Sequence, residues 1–185
     1  MAWKPETAEV GKRDVRDIAE WLWLAAELKV LSPRRAFNVN DAVDVALFLT
    51  DKLFKSAGIK VQRKLDPDIP EVDAQMGHIE QALINVLLNS WEATSSGGEV
   101  RVATGCVEQD KSVEIRIEDT GEGMPAEALE KVFEPFYGTR GRLGLGLTTA
   151  RELVSGFGGD MSIESDFGKG TKVRLKLPAV ARLAS

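Results

Sequence analysis

This chain of 185 residues contains very little cysteine or histidine and has no long hydrophobic run, and each absence excludes a class of function. One cysteine, Cys106, excludes an internal disulfide, and one histidine, His78, excludes a metal site built from several histidines. No apolar run could cross a bilayer, and no run of Lys or Arg suggests a nucleic-acid surface. We therefore expect a cytoplasmic segment without direct membrane contact and without a nucleic-acid partner, whose parent chain could be membrane-anchored.

The remaining composition, 43% hydrophobic and 29% charged, is ordinary for a globular protein with a core. Cys106 lies in a strand-like run and is predicted to be a small buried residue rather than a reactive thiol. His78 begins a predicted helix, and we expect it to have a surface or packing role rather than to accept a phosphoryl group.

Hydrophobic periodicity predicts two separate groups of elements. Helices are predicted at about 14–31, 40–58, 75–94, 125–133 and 146–156. Strands are predicted at 59–65, 99–107, 112–118, 160–165 and 171–178. Helices in one group and hairpin-like strands in the other predict an α+β fold, a two-layer α/β sandwich with helices on one face of a mixed sheet.

The helix predicted over 75–94 carries an unusual polar stripe. Asn85, Asn89 and Glu92 share one face, apart from the apolar stripe. Buried amides without partners are costly, so one interpretation is that the two asparagine oxygens face a hard cation or phosphate-bound water. The alternative is a pair of solvated amides on an exposed face, and the helix alone does not distinguish the two.

The stretch "VEIRIEDTGEGMP", residues 113–125, ends an apolar strand with a carboxylate. The alternation directs Asp119 inward, where an ionised acceptor suits the exocyclic amine of a base such as adenine. Gly121 and Gly123 would let a flat ring approach the backbone, and Met124 would pack on that ring. The alternative is a tight turn in which Asp119 accepts hydrogen bonds from its own backbone amides.

A glycine-bearing loop precedes the helix predicted at 146–156. Gly144 and Gly146 leave free N–H groups at a helix start, which attract phosphate, and Arg140 and Arg142 flank the loop. The alternative is a flexible loop with two solvated arginines.

Taken together and in this order, these motifs resemble the GHKL ATP-binding superfamily, and most closely the catalytic domain of bacterial sensor histidine kinases. The similar segments are "NVLLNSWEA" (85–93), "DTGEGMP" (119–125), "VFEPFYGTR" (132–140), "GLGLTTARELV" (144–154) and "GKGTKVRLKLP" (168–178). The Asn-x-x-Glu-Ala ending of the first is similar to the nitrogen-regulation type of kinase.

The resemblance implies the fold of this superfamily, the Bergerat fold, with ATP and Mg²⁺ as cofactors. It implies that Asn85 and Glu92 are catalytic and that Asn89 and Asn85 hold the metal. Phe133 and Phe136 would anchor a lid over 137–143, and Thr171 would reach the adenine through water. The implied ATP-binding residues are Asn85, Asn89, Asp119, Gly121, Gly123, Met124, Tyr137, Arg140, Arg142, Gly144, Leu145, Gly146, Leu147 and Thr171.

Superfamily ATPases carry a glutamate at the position of Asn85, and an amide is a poor general base. The resemblance therefore implies transfer of the ATP γ-phosphoryl group to a histidine on a dimerisation domain that this chain does not contain, and from there to a response regulator. The alternatives are a non-catalytic nucleotide-binding regulatory module and an anti-sigma-type Ser/Thr protein kinase. The glycine box departs from the family pattern, since Arg142 and Leu143 stand where Gly and Thr are usual, and the lid is short.

The expected domain organisation follows from these assignments. Residues 1–36 form an N-terminal helix, which resembles the end of a phosphoacceptor hairpin and would allow a homodimer. Residues 37–181 form the ATP-binding catalytic domain, and 182–185 are a tail.

Overall fold

The computed structural model describes residues 33–109, 111–137 and 144–180. The predicted helix at 14–31, most of the predicted lid with Arg140 and Arg142, and the tail lie outside the described residues. In chain order the elements are β1 (Arg34–Phe37), α1 (Val39–Ser56), β2 (Lys60–Lys64), β3 (Val72–Gln75), α2 (Met76–Ala93), β4 (Glu99–Val107), β5 (Ser112–Asp119), α3 (Ala126–Glu130), α4 (Gly146–Ser155), β6 (Asp160–Asp166) and β7 (Gly170–Pro178).

The main sheet has five strands in the order β2-β4-β5-β7-β6. The pair β2–β4 is parallel and the other pairs are antiparallel, so the sheet is mixed. Alternate residues of its strands, such as Val102, Ile117 and Leu175, are buried with the apolar faces of α1, α2 and α4. The opposite face carries ion pairs such as Lys172–Glu118 at 3.1 Å. This confirms the predicted two-layer sandwich.

Helix α1 begins and ends where its sequence provides caps. The N-cap is Asn38, slightly before the predicted helix start at about residue 40, and its side chain accepts a hydrogen bond from the Asn40 backbone N–H at 2.9 Å. Gly58 follows the last turn with φ of +68°, a conformation that glycine adopts without strain.

Helix α2 is the central element of the core. Nearly all its residues from Gly77 to Leu88 are buried, because α1 packs on one side of it, α4 on the other, and the sheet beneath. A helix that is enclosed on most sides normally carries only apolar residues. Asn85, at 3% exposure, is therefore an exception that the fold alone does not explain.

A two-stranded antiparallel sheet, β1–β3, was not predicted. Its strands have four residues each, too short for the alternation of side chains to be visible in the sequence. Val72 also bridges Ala179, which follows β7, so this small sheet is joined to the end of the main one. The predicted domain boundary after residue 36 falls inside β1.

The prediction that Cys106 is buried is wrong, because its side chain is exposed. Cys106 aligns with Val113 in the β4–β5 ladder and therefore points to the helix-covered face. It lies near the last residue of β4, Val107, so we attribute its exposure to the helices ending short of this part of the sheet. Across the described ranges, no helix is long and apolar enough to span a membrane.

Candidate functional site

The edge of the main sheet that is formed by strand ends, where β5 ends and β7 begins, carries several of the predicted residues. Asp119 is the last residue of β5 and pairs with Thr171 near the start of β7. The end of α2 lies against the loop that follows Asp119, because the Glu122 N–H donates to the carbonyl of Ala93 at 3.1 Å. Two motifs that are distant in the sequence therefore meet at this edge.

Asp119 is 8% exposed, and its carboxylate accepts hydrogen bonds from α2, from β7 and from the loop that follows it. Its Oδ1 accepts from the backbone N–H groups of Gly121 at 3.0 Å and Thr171 at 3.1 Å. Its Oδ2 accepts from the hydroxyl of Ser90 at 3.0 Å. The hydrogen bond from the Gly121 N–H is the one expected if Asp119 only closes a tight turn. The hydrogen bonds from Ser90 in α2 and Thr171 in β7 are not part of such a turn.

The two asparagines lie beside the first residue of α4. A Cβ built on Gly146 would lie 3.6 Å from Asn89 Nδ2 and 4.0 Å from Asn85 Cβ. Both Nδ2 atoms are buried and lack a hydrogen-bond partner within the described part of the chain. An orphaned buried amide costs roughly 1–3 kcal/mol, so two of them beside the start of α4 are a candidate ligand site.

The N-terminus of α4 faces the same space. Its N-cap is Leu145, whose side chain makes no capping hydrogen bond. The N–H groups of a first helical turn have no partner within the helix, and the helix dipole favours an anion there. Amide groups beside an uncapped helix start suit a phosphate and its counter-ion.

These amides fit a magnesium ion as well as a phosphate. The amide of an asparagine presents its oxygen when it rotates by half a turn, and magnesium takes few protein ligands, completing its shell with water and phosphate oxygens. No group of three or more His, Cys, Asp or Glu residues that could hold a metal occurs among the residues the structure describes. A magnesium ion here would be held by Asn89 and Asn85.

The glycines after Asp119 are required by contacts within the chain. A Cβ on Gly121 would lie 2.6 Å from the carbonyl oxygen of Ala93, and one on Gly123 would lie 2.0 Å from that of Asp166. The close approach expected for a ligand is thus already made by the protein backbone. Their role in ATP binding stays a prediction.

Ser90 and Ser165 take part in the site and were not among the predicted residues. Ser165 Oγ accepts from the Met124 N–H at 2.9 Å and lies 3.0 Å from Thr171 Oγ1. It thereby connects the loop after Asp119 to β7. The position of Ser90 directly after Asn89 was visible in the sequence, but its turn toward Asp119 required the α2–β5 packing.

The segment before the lid is only partly anchored. Phe133 packs on the core, the guanidinium of Arg151 lies 4.6 Å from its ring centre, and Thr148 donates to its carbonyl at 3.2 Å. Phe136 is 73% exposed, and the anchoring role of both phenylalanines stays a prediction. Tyr137 is partly exposed, and its backbone lies against Gly144.

The other predicted residues lie around this edge. Leu147 packs against the core in the first turn of α4, and Glu92 is partly exposed one turn beyond Asn89. A cavity of about 650 Å³ opens beside Asp119 and Thr171 and extends to the charged pair Glu118 and Lys172. Glu118 and Lys172 lie on the face of the sheet opposite the helices, and Asn85 and Asn89 do not line this cavity, so the cavity does not locate the site.

His78 lies away from this edge, at the start of α2. Its ring packs on Phe157 with 5.8 Å between ring centres, and Arg34 lies over the same phenylalanine. Burial lowers the pKa of His78 below its usual 6.5. These contacts agree with the predicted packing role.

Sequence comparisons identify similar proteins. Histidine protein kinase DivJ of Caulobacter vibrioides is 32% identical over 172 residues, covering 90% of this chain and 28% of the relative. Sensor kinase CckA of Brucella abortus is 31% identical over 175 residues, covering 84% of this chain and 18% of the relative. The chain thus spans less than a third of either relative's length.

Solved structures share the fold. The catalytic domain of histidine kinase ThkA has a TM-score of 0.72 at 26% identity, covering 80% of this chain and 98% of that domain. Full-length ShkA in complex with AMPPNP has a TM-score of 0.75 at 20% identity, covering 94% of this chain and 38% of ShkA. ThkA in complex with its response regulator TrrA has a TM-score of 0.70 at 22% identity, covering 97% of this chain and 53% of that chain.

A family profile described as Histidine kinase-, DNA gyrase B-, and HSP90-like ATPase matches residues 75–181, more than half of the chain. The matched region begins at the end of β3 and contains all the residues of the site described above. The fold, the order of the motifs and the sequence relatives agree. The chain therefore belongs to the Histidine kinase-, DNA gyrase B-, and HSP90-like ATPase family and has the fold of a histidine kinase catalytic domain.

Proposed function

We propose that this chain binds Mg-ATP and transfers the γ-phosphoryl group to a histidine of a dimerisation domain, in the same chain or a partner, and that the phosphoryl group then passes to a response regulator. The observation that carries the proposal is the pair of buried amides, Asn85 and Asn89, whose nitrogens lack partners beside the N-terminus of α4. The nucleotide bound by ShkA and the response regulator bound by ThkA support the same function.

In this proposal the two ends of the ATP molecule are held by different parts of the site. Asp119 accepts a hydrogen bond from the adenine amine at the end of β5, and Thr171 and Ser165 border the ring. Asn85, Asn89 and the first N–H groups of α4 receive the phosphates. Helix α2 connects the two ends, because Ser90, which follows Asn89, donates to Asp119.

The chemistry proposed is positioning and charge neutralisation rather than activation of water. In phosphoryl transfer the protein aligns the γ-phosphate with its acceptor and stabilises spreading negative charge. A magnesium ion held at the asparagines would supply part of that positive charge when bound. Asn85 is an amide and removes no proton, so this chain has no general base at that position and hydrolysis is disfavoured.

The test combines this chain with a separately prepared histidine dimerisation domain and γ-labelled ATP. We expect a label on the dimerisation domain that is lost in acid and kept in base, as for phosphohistidine. The Asn89→Ala variant should give none, whereas Ser162→Ala, an exposed change on β6, should label normally. ATP binding without transfer would support the regulatory module instead, and an acid-stable label would support a Ser/Thr kinase.

A further inference from the structure

We infer that the outer face of α1 is a contact surface for a second copy of this chain, in which two α1 helices pack antiparallel across a two-fold axis beside Phe48. This contact uses no residue of the proposed ATP site and does not depend on the proposed function.

Phe48 is the most exposed large apolar side chain in the described part of the chain, at 80%. Other apolar residues of the same helix, such as Val43 and Leu53, are buried in the core. A single exposed apolar side chain is common on protein surfaces. The charges around Phe48 therefore decide whether it marks an interface.

These charges are arranged symmetrically about Phe48. Aspartates lie four and seven positions before it, and lysines lie four and seven positions after it. Residues with this spacing share one face of a helix. All five side chains of this face are exposed: Asp41, Asp44, Phe48, Lys52 and Lys55. The face is therefore acidic in its first half, basic in its second half and aromatic at its centre.

Such a face is complementary to a second copy of itself when the two helices are antiparallel. A pair centred on Phe48 places Asp44 of each copy opposite Lys52 of the other. One turn further out, Asp41 lies opposite Lys55. Each contact occurs twice, as an isologous pair requires. A parallel pair would instead place like charges together, which is unfavourable.

Ion pairs within the chain do not prevent these contacts. Asp44 pairs with Arg63 of β2, and Lys55 pairs with Asp51 at 2.8 Å. All four side chains are at least half exposed, and exposed ion pairs contribute little to stability, so they can be exchanged. Because the contact is limited to one helix face, we expect a weak and reversible dimer.

The first experiment cross-links the wild-type chain with a carbodiimide, which joins a carboxylate to a lysine amine that is in direct contact with it. Asp44 and Lys52 are about 12 Å apart along one helix, so a link between them must join two copies. In a mixture of isotope-labelled and unlabelled chains, we expect mass spectrometry to show this link between one peptide of each kind. A chain that stays monomeric at every concentration, or that dimerises without this link, overturns the inference.

Sedimentation equilibrium then tests the aromatic centre of the face. Phe48→Ala should weaken dimerisation by at least about tenfold, because an anchor at the centre of an interface contributes most. Phe167→Ala is the matched control, since this phenylalanine of the β6–β7 turn is 73% exposed and lies outside α1, and it should leave dimerisation unchanged. Equal dimerisation of Phe48→Ala and the wild type overturns the inference.

Charge reversal tests the orientation of the two helices. Asp44→Lys places like charges at both symmetric contacts and should weaken dimerisation by at least about fivefold. Addition of Lys52→Asp reverses the second charge and should restore dimerisation to within about twofold of the wild type. A double variant that dimerises no better than Asp44→Lys overturns the antiparallel pairing.

Discussion

The α-carbon of Gly123 lies so close to Asp166 that a Cβ built on the glycine would be 2.0 Å from the aspartate's carbonyl oxygen. Gly123 also has φ of +64°, where other residues are strained. We predict that Gly123→Ala destabilises the chain by at least about 2 kcal/mol, because the added methyl group combines backbone strain with a clash against backbone. Urea unfolding measures this change.

Gly97 provides the matched control for that variant. It has φ of +86° and nothing within 4 Å of a built Cβ, so Gly97→Ala adds only conformational strain, about 1–2 kcal/mol. Equal losses in the two variants would show that the contact between the loop after Asp119 and the β6–β7 turn is not as tight as described.

Substitution of Asn89 should separate stability from ligand binding. Its amide nitrogen is buried without a partner in the described structure, so Asn89→Ala removes an unsatisfied group. We expect the stability of the free protein to be unchanged or to rise by up to about 1 kcal/mol, while calorimetry shows Mg-ATP binding lost. Normal ATP affinity in this variant would contradict the assigned site.

Asp119→Ala should instead lower both quantities. The substitution leaves Ser90, Gly121 and Thr171 without their acceptor, so we expect a loss of about 1–3 kcal/mol in unfolding free energy as well as loss of ATP binding. Thermal melting with and without Mg-ATP measures both effects. A stabilisation by nucleotide equal to that of the wild type would rule out contact between Asp119 and the base.

The sequence singled out the residues of the candidate site, whereas the contacts around them became visible only in the structure. Asp119 and the asparagines break an apolar pattern, and such exceptions are visible without coordinates. The bond from Ser90 to Asp119 depends on how α2 packs against β5, and no local pattern encodes that packing. Cys106 was misplaced for a similar reason: alternation gives the face of a strand, but not where the covering helices end.

The two glycines at the start of α4 should respond differently to alanine. Gly144 has φ of +63° and its Cβ would lie 2.6 Å from Tyr137 backbone, so Gly144→Ala should cost about 2 kcal/mol. Gly146 is helical with only ordinary contacts near it, so Gly146→Ala should fold with equal or higher stability. The new methyl group would nevertheless point toward Asn89 and Asn85, and we expect Mg-ATP to bind at least about tenfold more weakly. Unchanged affinity would place the phosphates elsewhere.

The exposed thiol of Cys106 should be accessible in the folded protein. We expect a thiol reagent such as DTNB to modify one equivalent without denaturant, because the side chain is at the surface near the end of β4. Cys106→Ser should abolish this reaction and change stability by less than about 0.5 kcal/mol, as usual for surface positions. Reaction only after addition of urea would show that the residue is buried.

The stability of the fold should depend on His78 near neutral pH. Burial lowers the pKa of His78 in the folded state, whereas the unfolded chain takes up its proton near pH 6.5. Between those two values the unfolded state binds more protons, so the melting temperature should fall as pH decreases below about 6.5 and level off below the folded-state pKa. The guanidinium of Arg34 lies over the Phe157 ring on which His78 packs and adds a positive charge there. The carboxylate of Asp73 pairs with this guanidinium at 3.0 Å. His78→Gln should flatten the slope between pH 7.5 and 5.5, and because the chain has no other histidine, an unchanged slope would assign this pH dependence to other groups.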